Sequence, residues 1–205
     1  IIPSRLGGTI TAPPAKSDLH RALICAALSR GRSIIRNYEP CADTTATVNV
    51  LKSMGADIKI LGSELYIDTR NGFVKDAGRI DCFESGSTLR FIIPVLAVLG
   101  ISAKLTGSGR LPSRPLTAYE EILPKSGVSF DTSEWPISLD GRLQGGKYSL
   151  KGDISSQFIT GLLMALPLAA ENSEIVLTSP PQSAGYIDMT LKTMKQFGVL
   201  VQAMP

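Results

Sequence analysis

Three short stretches hold the residues best suited to chemistry: Lys16-Ser17 with Arg21 one turn on, Ser85-Gly86-Ser87-Thr88 with Arg90, and Ser155-Ser156-Gln157. Each places hydroxyls, a cation or an amide where a helix starts. The first amides of a helix lack intrahelical partners and sit at the positive end of its dipole, so such openings bind phosphate and carboxylate groups. A second set adds Asp43, Arg110 with Arg114 before Pro115, and Ser183 with Tyr186. Proline after Arg114 restricts its backbone and holds a bidentate guanidinium stiffly. Plain capping explains any one of these openings, since Ser and Thr cap helices without a ligand. Six in register point to an anion site.

The register is a repeat. Ser17, Ser87 and Ser156 lie 70 and 69 positions apart, Asp43, Arg114 and Tyr186 lie 71 and 72 apart, and Gly55, Gly127 and Gly198 lie 72 and 71 apart. A fixed period implies one supersecondary unit used three times, and units packed about a common axis would bring their openings together. In the first unit the patterning predicts a strand near residues 8–12, helices over 17–29 and 43–54, a strand over 33–37, and a hairpin of 57–61 with 64–68 about Gly62-Ser63. The second predicts strands at 79–83, 102–106, 128–131 and 137–140 with helices at 87–99 and 115–123. For the third, strands at 147–151, 174–178 and 199–203 alternate with helices at 156–170 and 186–197.

The order is βαβαββ, with the third unit one strand short, which leads us to expect that the chain is part of a longer protein. Helices that are apolar on nearly every face, as with Leu89, Phe91, Ile92, Ile93, Val95 and Leu96, lie inside a protein. Hairpins that alternate polar and apolar suit a sheet with one wet face. The expected fold class is therefore mixed α/β with helices inside and sheets outside. No Gly-x-Gly-x-x-Gly follows a strand, which argues against a dinucleotide fold.

Composition narrows the partners. At 205 residues, 43% hydrophobic and 19% charged, the chain is globular, and 21 Lys plus Arg against 18 Asp plus Glu leave a net charge of +3, too small to indicate nucleic acid. Trp135 and the tyrosines are not interleaved with basic residues, so a base-stacking surface is not indicated. Cys25, Cys41 and Cys82 have no metal-ligand spacing and read as buried apolar residues of a reduced, cytoplasmic protein. His20, the one histidine, falls in a first helical turn, where a solvated or capping role outweighs catalysis. The apolar runs 91–101 and 158–170 fall short of the roughly 18 residues of a membrane span. No signal peptide is evident at the start of the sequence.

Taken in order, Lys16-Ser17 with Arg21, Ala42-Asp43-Thr44, Ser85-Gly86-Ser87-Thr88-Leu89-Arg90, Arg114-Pro115, Gly152-Asp153, Ser155-Ser156-Gln157 and Ser183 with Tyr186-Ile187-Asp188 resemble the N-terminal half of the 5-enolpyruvylshikimate-3-phosphate synthases. The resemblance runs the length of the chain. It implies an inside-out α/β barrel, or α/β prism, forming one lobe of a two-lobed monomer, with residues 1–12 a strand and crossover associated with the other lobe and 13–205 a lobe of three repeats. It also implies transfer of the enolpyruvyl group of phosphoenolpyruvate to the 5-hydroxyl of shikimate 3-phosphate, with loss of phosphate, without metal or organic cofactor.

By the family pattern, Lys16 touches both substrates; Ser17, Arg21, Ser155, Ser156 and Ser183 hold shikimate 3-phosphate; Gly86 and Arg114 take the phosphate end of phosphoenolpyruvate; and Gln157 lies between them. Asp43, Ser87, Arg90 and Tyr186 line or brace the site. The family's acid/base carboxylates belong to the other lobe, so the expectation is that this chain supplies no catalytic residue, binds shikimate 3-phosphate weakly and does not turn over alone. Glu84, Ser87 and Ala184-Gly185 stand where asparagine, threonine and Lys-Pro are common; Glu84 is expected to cap a backbone N–H or pair with a cation. Two alternatives share the fold. The UDP-N-acetylglucosamine enolpyruvyl transferases usually carry a cysteine in the stretch where this chain has Gly109, and an RNA-binding module of the same fold needs a basic stripe that is absent.

Overall fold

A computed structural model describes residues 7–204. The elements run α1 (Lys16–Leu28), β1 (Arg32–Ile35), α2 (Ala42–Ser53), β2 (Asp57–Leu61), β3 (Glu64–Asp68), β4 (Asp76–Asp81), α3 (Gly86–Leu99), β5 (Ser102–Thr106), α4 (Thr117–Ile122), β6 (Val128–Asp131), β7 (Ile137–Gly141), β8 (Lys147–Leu150), α5 (Ser156–Ala165), β9 (Glu174–Leu177) and α6 (Ala184–Gln196). The fold is mixed α/β, with three separate sheets ordered β1-β3-β2, β4-β5-β7-β6 and β8-β9.

The period of the sequence reappears as topology. In both complete hairpin units the strand after the first helix pairs antiparallel with the last strand of the unit, which pairs antiparallel with the strand before it. Parallel pairs β4–β5 and β8–β9 each enclose a helix, α3 or α5, as a parallel connection requires. Gly55, Gly127 and Gly198 all stand at positive φ, 106°, 83° and 81°, just beyond the helical stretches they close. Only glycine adopts that backbone without strain, which is why the residue type recurs at each closure.

Two expected strands are absent. Residues 8–12 and 199–203 carry no strand, residues 1–6 lie outside the described part, and the helix expected over 156–170 ends at Ala165 in a 3-10 turn, Leu166–Leu168. Pro167 lacks the N–H that would continue the helical ladder.

Helices α1, α2, α3, α5 and α6 pack in a closed cycle, each against the next and α6 back on α1. Eleven of the fourteen residues of α3 are buried and nine of the ten of α5, so both are enclosed on all sides. Each large apolar side chain so buried contributes roughly 1.5–3 kcal/mol. Pro94 inside α3 removes the N–H that would bond the Arg90 carbonyl. Tyr119 Oη, itself buried, donates to that carbonyl at 2.6 Å instead. A Cβ on Gly161 of α5 would lie 2.6 Å from the same Arg90 oxygen and 2.9 Å from Pro94, so the absent side chain lets α5 close on the proline turn. Arg90 is thereby fixed by packing before any ligand is considered.

Candidate functional site

The first turns of the helix cycle meet through side chains. Lys16, the first residue of α1, places Nζ 2.6 Å from Asp43 Oδ2 at the start of α2. Thr88 Oγ1 in the first turn of α3 donates to the Asp43 carbonyl at 3.2 Å. Gln157 at the start of α5 donates from Nε2 to Ser87 Oγ at 2.9 Å and accepts from Arg90 Nη1 at 2.7 Å, tying α5 to α3. Arg21 of α1 donates to the Tyr186 carbonyl in α6 at 3.1 Å. Five helix N-termini therefore open at one end of the molecule, and their dipoles and free amides add there.

The cations at this end are crowded. Arg114 lies directly over Gly86, since a Cβ on that glycine would run into Arg114 Nη1. Among the described residues its guanidinium has no hydrogen-bond partner, although it is only partly exposed. Burial, and then the charge of Arg114, lower the pKa of Arg90, whose guanidinium also stacks 4.9 Å from the Phe158 ring. The Asp43 hydrogen bond raises the pKa of Lys16, against burial and the Arg114 charge. Like charges held this close favour an anion between them.

Hydroxyl groups are also available. Ser155 caps α5, accepting from the Gln157 amide at 3.3 Å. Among the described residues the hydroxyls of Ser17, Ser156 and Ser183 have no hydrogen-bond partner; Ser17 and Ser183 are half-buried, and Ser156 is buried as a residue but leaves its hydroxyl accessible. Glu84 accepts from the Arg110 amide at 3.2 Å and reaches Arg110 Nε at 4.0 Å, so it braces the 107–114 loop, capping an N–H and pairing with a cation as expected.

The predicted site residues thus gather at one end, but in different states. Arg21 is buried, with Nε on Thr190 Oγ1 at 2.7 Å, Nη1 on the Ser17 carbonyl at 2.6 Å and Nη2 on Thr160 Oγ1 at 3.2 Å, and its ring neighbours are Phe91 and Tyr186. It is a strut joining α1, α5 and α6, with one Nη1 hydrogen to spare. Thr88, part of the second predicted opening, helps knit these turns; sequence reasoning missed Thr47, Thr160 and Thr190, the other hydroxyls that do so, and only Thr160, a polar residue inside an otherwise apolar helix, carried a signal. His20 is buried, not solvated: Nδ1 lies 2.8 Å from Thr47 Oγ1, and burial pushes its pKa down to about 4. Cys25 and Cys82 are buried thiols, each pushed up to about 12 by burial, but Cys41 is exposed, not buried as expected, at the α2 N-cap, where its sulfur and amide engage Thr44.

Among the described residues no group of three or more His, Cys, Asp or Glu is placed to hold a metal ion, and no helix is long and apolar enough to cross a membrane.

Similarity to known proteins is consistent along the chain. The family described as EPSP synthase (3-phosphoshikimate 1-carboxyvinyltransferase) matches residues 2–205. A 3-phosphoshikimate 1-carboxyvinyltransferase of Clostridium perfringens is 44% identical over 98% of this chain and 48% of its own length. One from Clostridium novyi is 41% identical over 98% and 49%. An EPSP synthase structure from Acinetobacter baumannii superposes with a TM-score of 0.82 over 96% of this chain and 45% of that one, at 24% identity, which supports the fold. The chain spans about half the length of the curated relatives it matches. With the family match running through all three repeats and both sets of helix openings, the chain belongs to the EPSP synthase (3-phosphoshikimate 1-carboxyvinyltransferase) family.

Proposed function

We propose that this chain supplies the shikimate 3-phosphate side, and part of the phosphoenolpyruvate side, of an enolpyruvyl transferase. The observation that carries the reading is the crowding of Lys16, Arg90 and Arg114 at one end of the helix cycle, beside the unspent hydroxyls of Ser156 and Ser183. In the complete reaction the 5-hydroxyl of shikimate 3-phosphate gives up its proton to a base as its oxygen bonds to C2 of phosphoenolpyruvate, while C3 gains a proton and becomes a methyl group. The tetrahedral intermediate then loses a proton from that methyl and breaks the C2–O bond to phosphate, which leaves and restores the C2–C3 double bond.

On this side, Ser155 and Ser156 with the α5 amides take the shikimate phosphate, and Ser17, Ser183 and the remaining Arg21 hydrogen take its ring substituents. Arg114, lying over the Gly86 opening, takes the phosphate of phosphoenolpyruvate, and Lys16 reaches both substrates. Gln157, already held by Arg90 and Ser87, separates them. Asp43 sets Lys16, and Tyr186 covers the shikimate side. Residues 13–205 form one lobe of an α/β prism, a monomer in which residues 1–12 lead toward a second lobe carrying the acid/base carboxylates. The reading toward UDP-N-acetylglucosamine is weaker: Gly109 stands at φ 57°, and a side chain there would lie 2.6 Å from the Glu84 carboxyl carbon.

Phosphate release tests the reading. With shikimate 3-phosphate and phosphoenolpyruvate, the chain alone releases none, and the protein carrying both lobes releases phosphate and produces the enolpyruvyl ether. Turnover by the chain alone, or a preference of the two-lobed protein for UDP-N-acetylglucosamine, refutes it.

A further inference from the structure

His20 is the buried titratable group that the proposed chemistry leaves unused, and its Nε2 is the one buried side-chain nitrogen or oxygen without a partner among the described residues. From its other nitrogen a chain of short contacts runs outward: Nδ1 to Thr47 Oγ1 at 2.8 Å, Thr47 Oγ1 to Thr88 Oγ1 at 2.8 Å, and Thr88 Oγ1 to both Ser85 Oγ at 2.8 Å and the Asp43 carbonyl at 3.2 Å. All the side chains along it are buried. The chain ends on the two openings that carry Asp43 and Gly86.

Each hydroxyl has a single proton, which makes the order of donation a discrete choice. If Nδ1 carries the imidazole hydrogen, it donates to Thr47, Thr47 donates to Thr88, and Thr88 keeps its proton for Ser85 or Asp43. Nε2 is then a bare lone pair. In the other tautomer Nδ1 takes the only proton of Thr47, which withdraws it from Thr88 and from the Asp43 carbonyl 3.5 Å away, and the Thr47–Thr88 contact is kept only if Thr88 turns back, which takes the Thr88 hydroxyl from the Asp43 carbonyl as well. That arrangement also leaves a buried N–H without an acceptor, the rarer and costlier orphan.

We propose that His20, as the neutral Nδ1–H tautomer, is a positioning residue that orders the Thr47-Thr88 chain and through it holds the Asp43 carbonyl and the Ser85–Thr88 turn in place. A consequence for substrate follows only if the functional reading above holds: Asp43 sets Lys16, and the Thr88 turn sets Gly86 beneath Arg114. The hydrogen-bond order itself is independent of that reading.

The test uses the full 205-residue chain, isotope-labelled, as wild type, His20→Asn and His20→Leu. Asparagine places an amide where Cγ and Nδ1 stood, so it still donates to Thr47, whereas leucine fills similar space and donates nothing. Long-range imidazole nitrogen spectra of the wild type are expected to show hydrogen on Nδ1 and none on Nε2. His20→Leu is expected to speed hydrogen exchange of the Thr88 amide about tenfold, the loss of one ordered hydrogen bond, with the β6–β7 amides unchanged. His20→Asn should restore it to within about threefold. Hydrogen on Nε2, unchanged exchange in His20→Leu, or an Asn variant as fast as Leu overturns the proposal. The tautomer is read on wild type, so a variant that fails to fold does not remove the test. Failure of the wild type to bind shikimate 3-phosphate would sink the functional reading, while the tautomer and exchange results still decide the role of His20.

Discussion

Arg21 and Arg114 are both guanidinium groups at helix openings, and they are held in opposite ways. Arg21 is buried and gives its hydrogens to Thr190, Ser17, Thr160 and Tyr186, three of them on other helices. Arg114 leans over Gly86 with no protein acceptor among the described residues. The first is spent on structure, with one hydrogen left over; the second has its whole fork unspent. A cation's place at a helix start therefore does not give its role; its unsatisfied donors do.

The sharpest way to break the comparison is to remove each fork in turn. Arg21→Met removes the three hydrogen bonds that tie α1 to α5 and α6, leaving Thr160, Thr190 and the Tyr186 carbonyl with only the bonds they make to one another, and should cost about 3 kcal/mol of stability, measured by urea unfolding. Arg114→Met should change stability by less than about 0.5 kcal/mol. Its effect should appear in the two-lobed protein, where loss of the proposed phosphate contact is expected to raise the KM for phosphoenolpyruvate about a hundredfold. Equal losses of stability in both variants would erase the distinction.

A smaller effect comes from the frame that fixes Arg90. Tyr119→Phe removes the donor that replaces the missing Pro94 N–H and should cost about 1–2 kcal/mol in the same unfolding measurement. The last effect is spread over pH as an acid slope. The His20 pKa falls from 6.5 in the unfolded chain to about 4 in the fold, so the unfolded state binds the extra proton between those values. Stability should be full above pH 6.5 and fall as pH drops toward 4, by at most about 1.4 kcal/mol per unit. Asp43 opposes this depression and Lys16 and Arg21 reinforce it, burial being the main cause. His20→Asn should flatten the slope; an unchanged slope would place its origin elsewhere.

Much of the fold is legible because its signals are local. The hairpin of β2 and β3 falls where alternation and Gly62-Ser63 place it, and the all-round apolar runs of α3 and α5 announce enclosed helices. Residues 8–12 and 199–203 hold strand-favouring residues such as Ile10, Val199 and Val201, yet form no strand, because strand formation also needs a paired edge that residue type cannot supply. The openings of the site could be read from residue type and period. Their state could not: Arg21 meets Thr160 and Thr190 across 139 and 169 positions of sequence, and only the packed helix cycle brings those hydroxyls to it. For the same reason a histidine in a first turn read as solvated, when the neighbouring helices bury it.

The central claim, that the convergent helix openings bind shikimate 3-phosphate, is tested most directly by titrating that compound into the isotope-labelled chain and following backbone amide shifts. The account predicts saturable shifts at Lys16, Ser17, Ser155, Ser156 and Ser183, with Val128–Asp131 and Ile137–Gly141 unmoved. Shifts confined to those strands, or none at the five helix-opening residues, would contradict it.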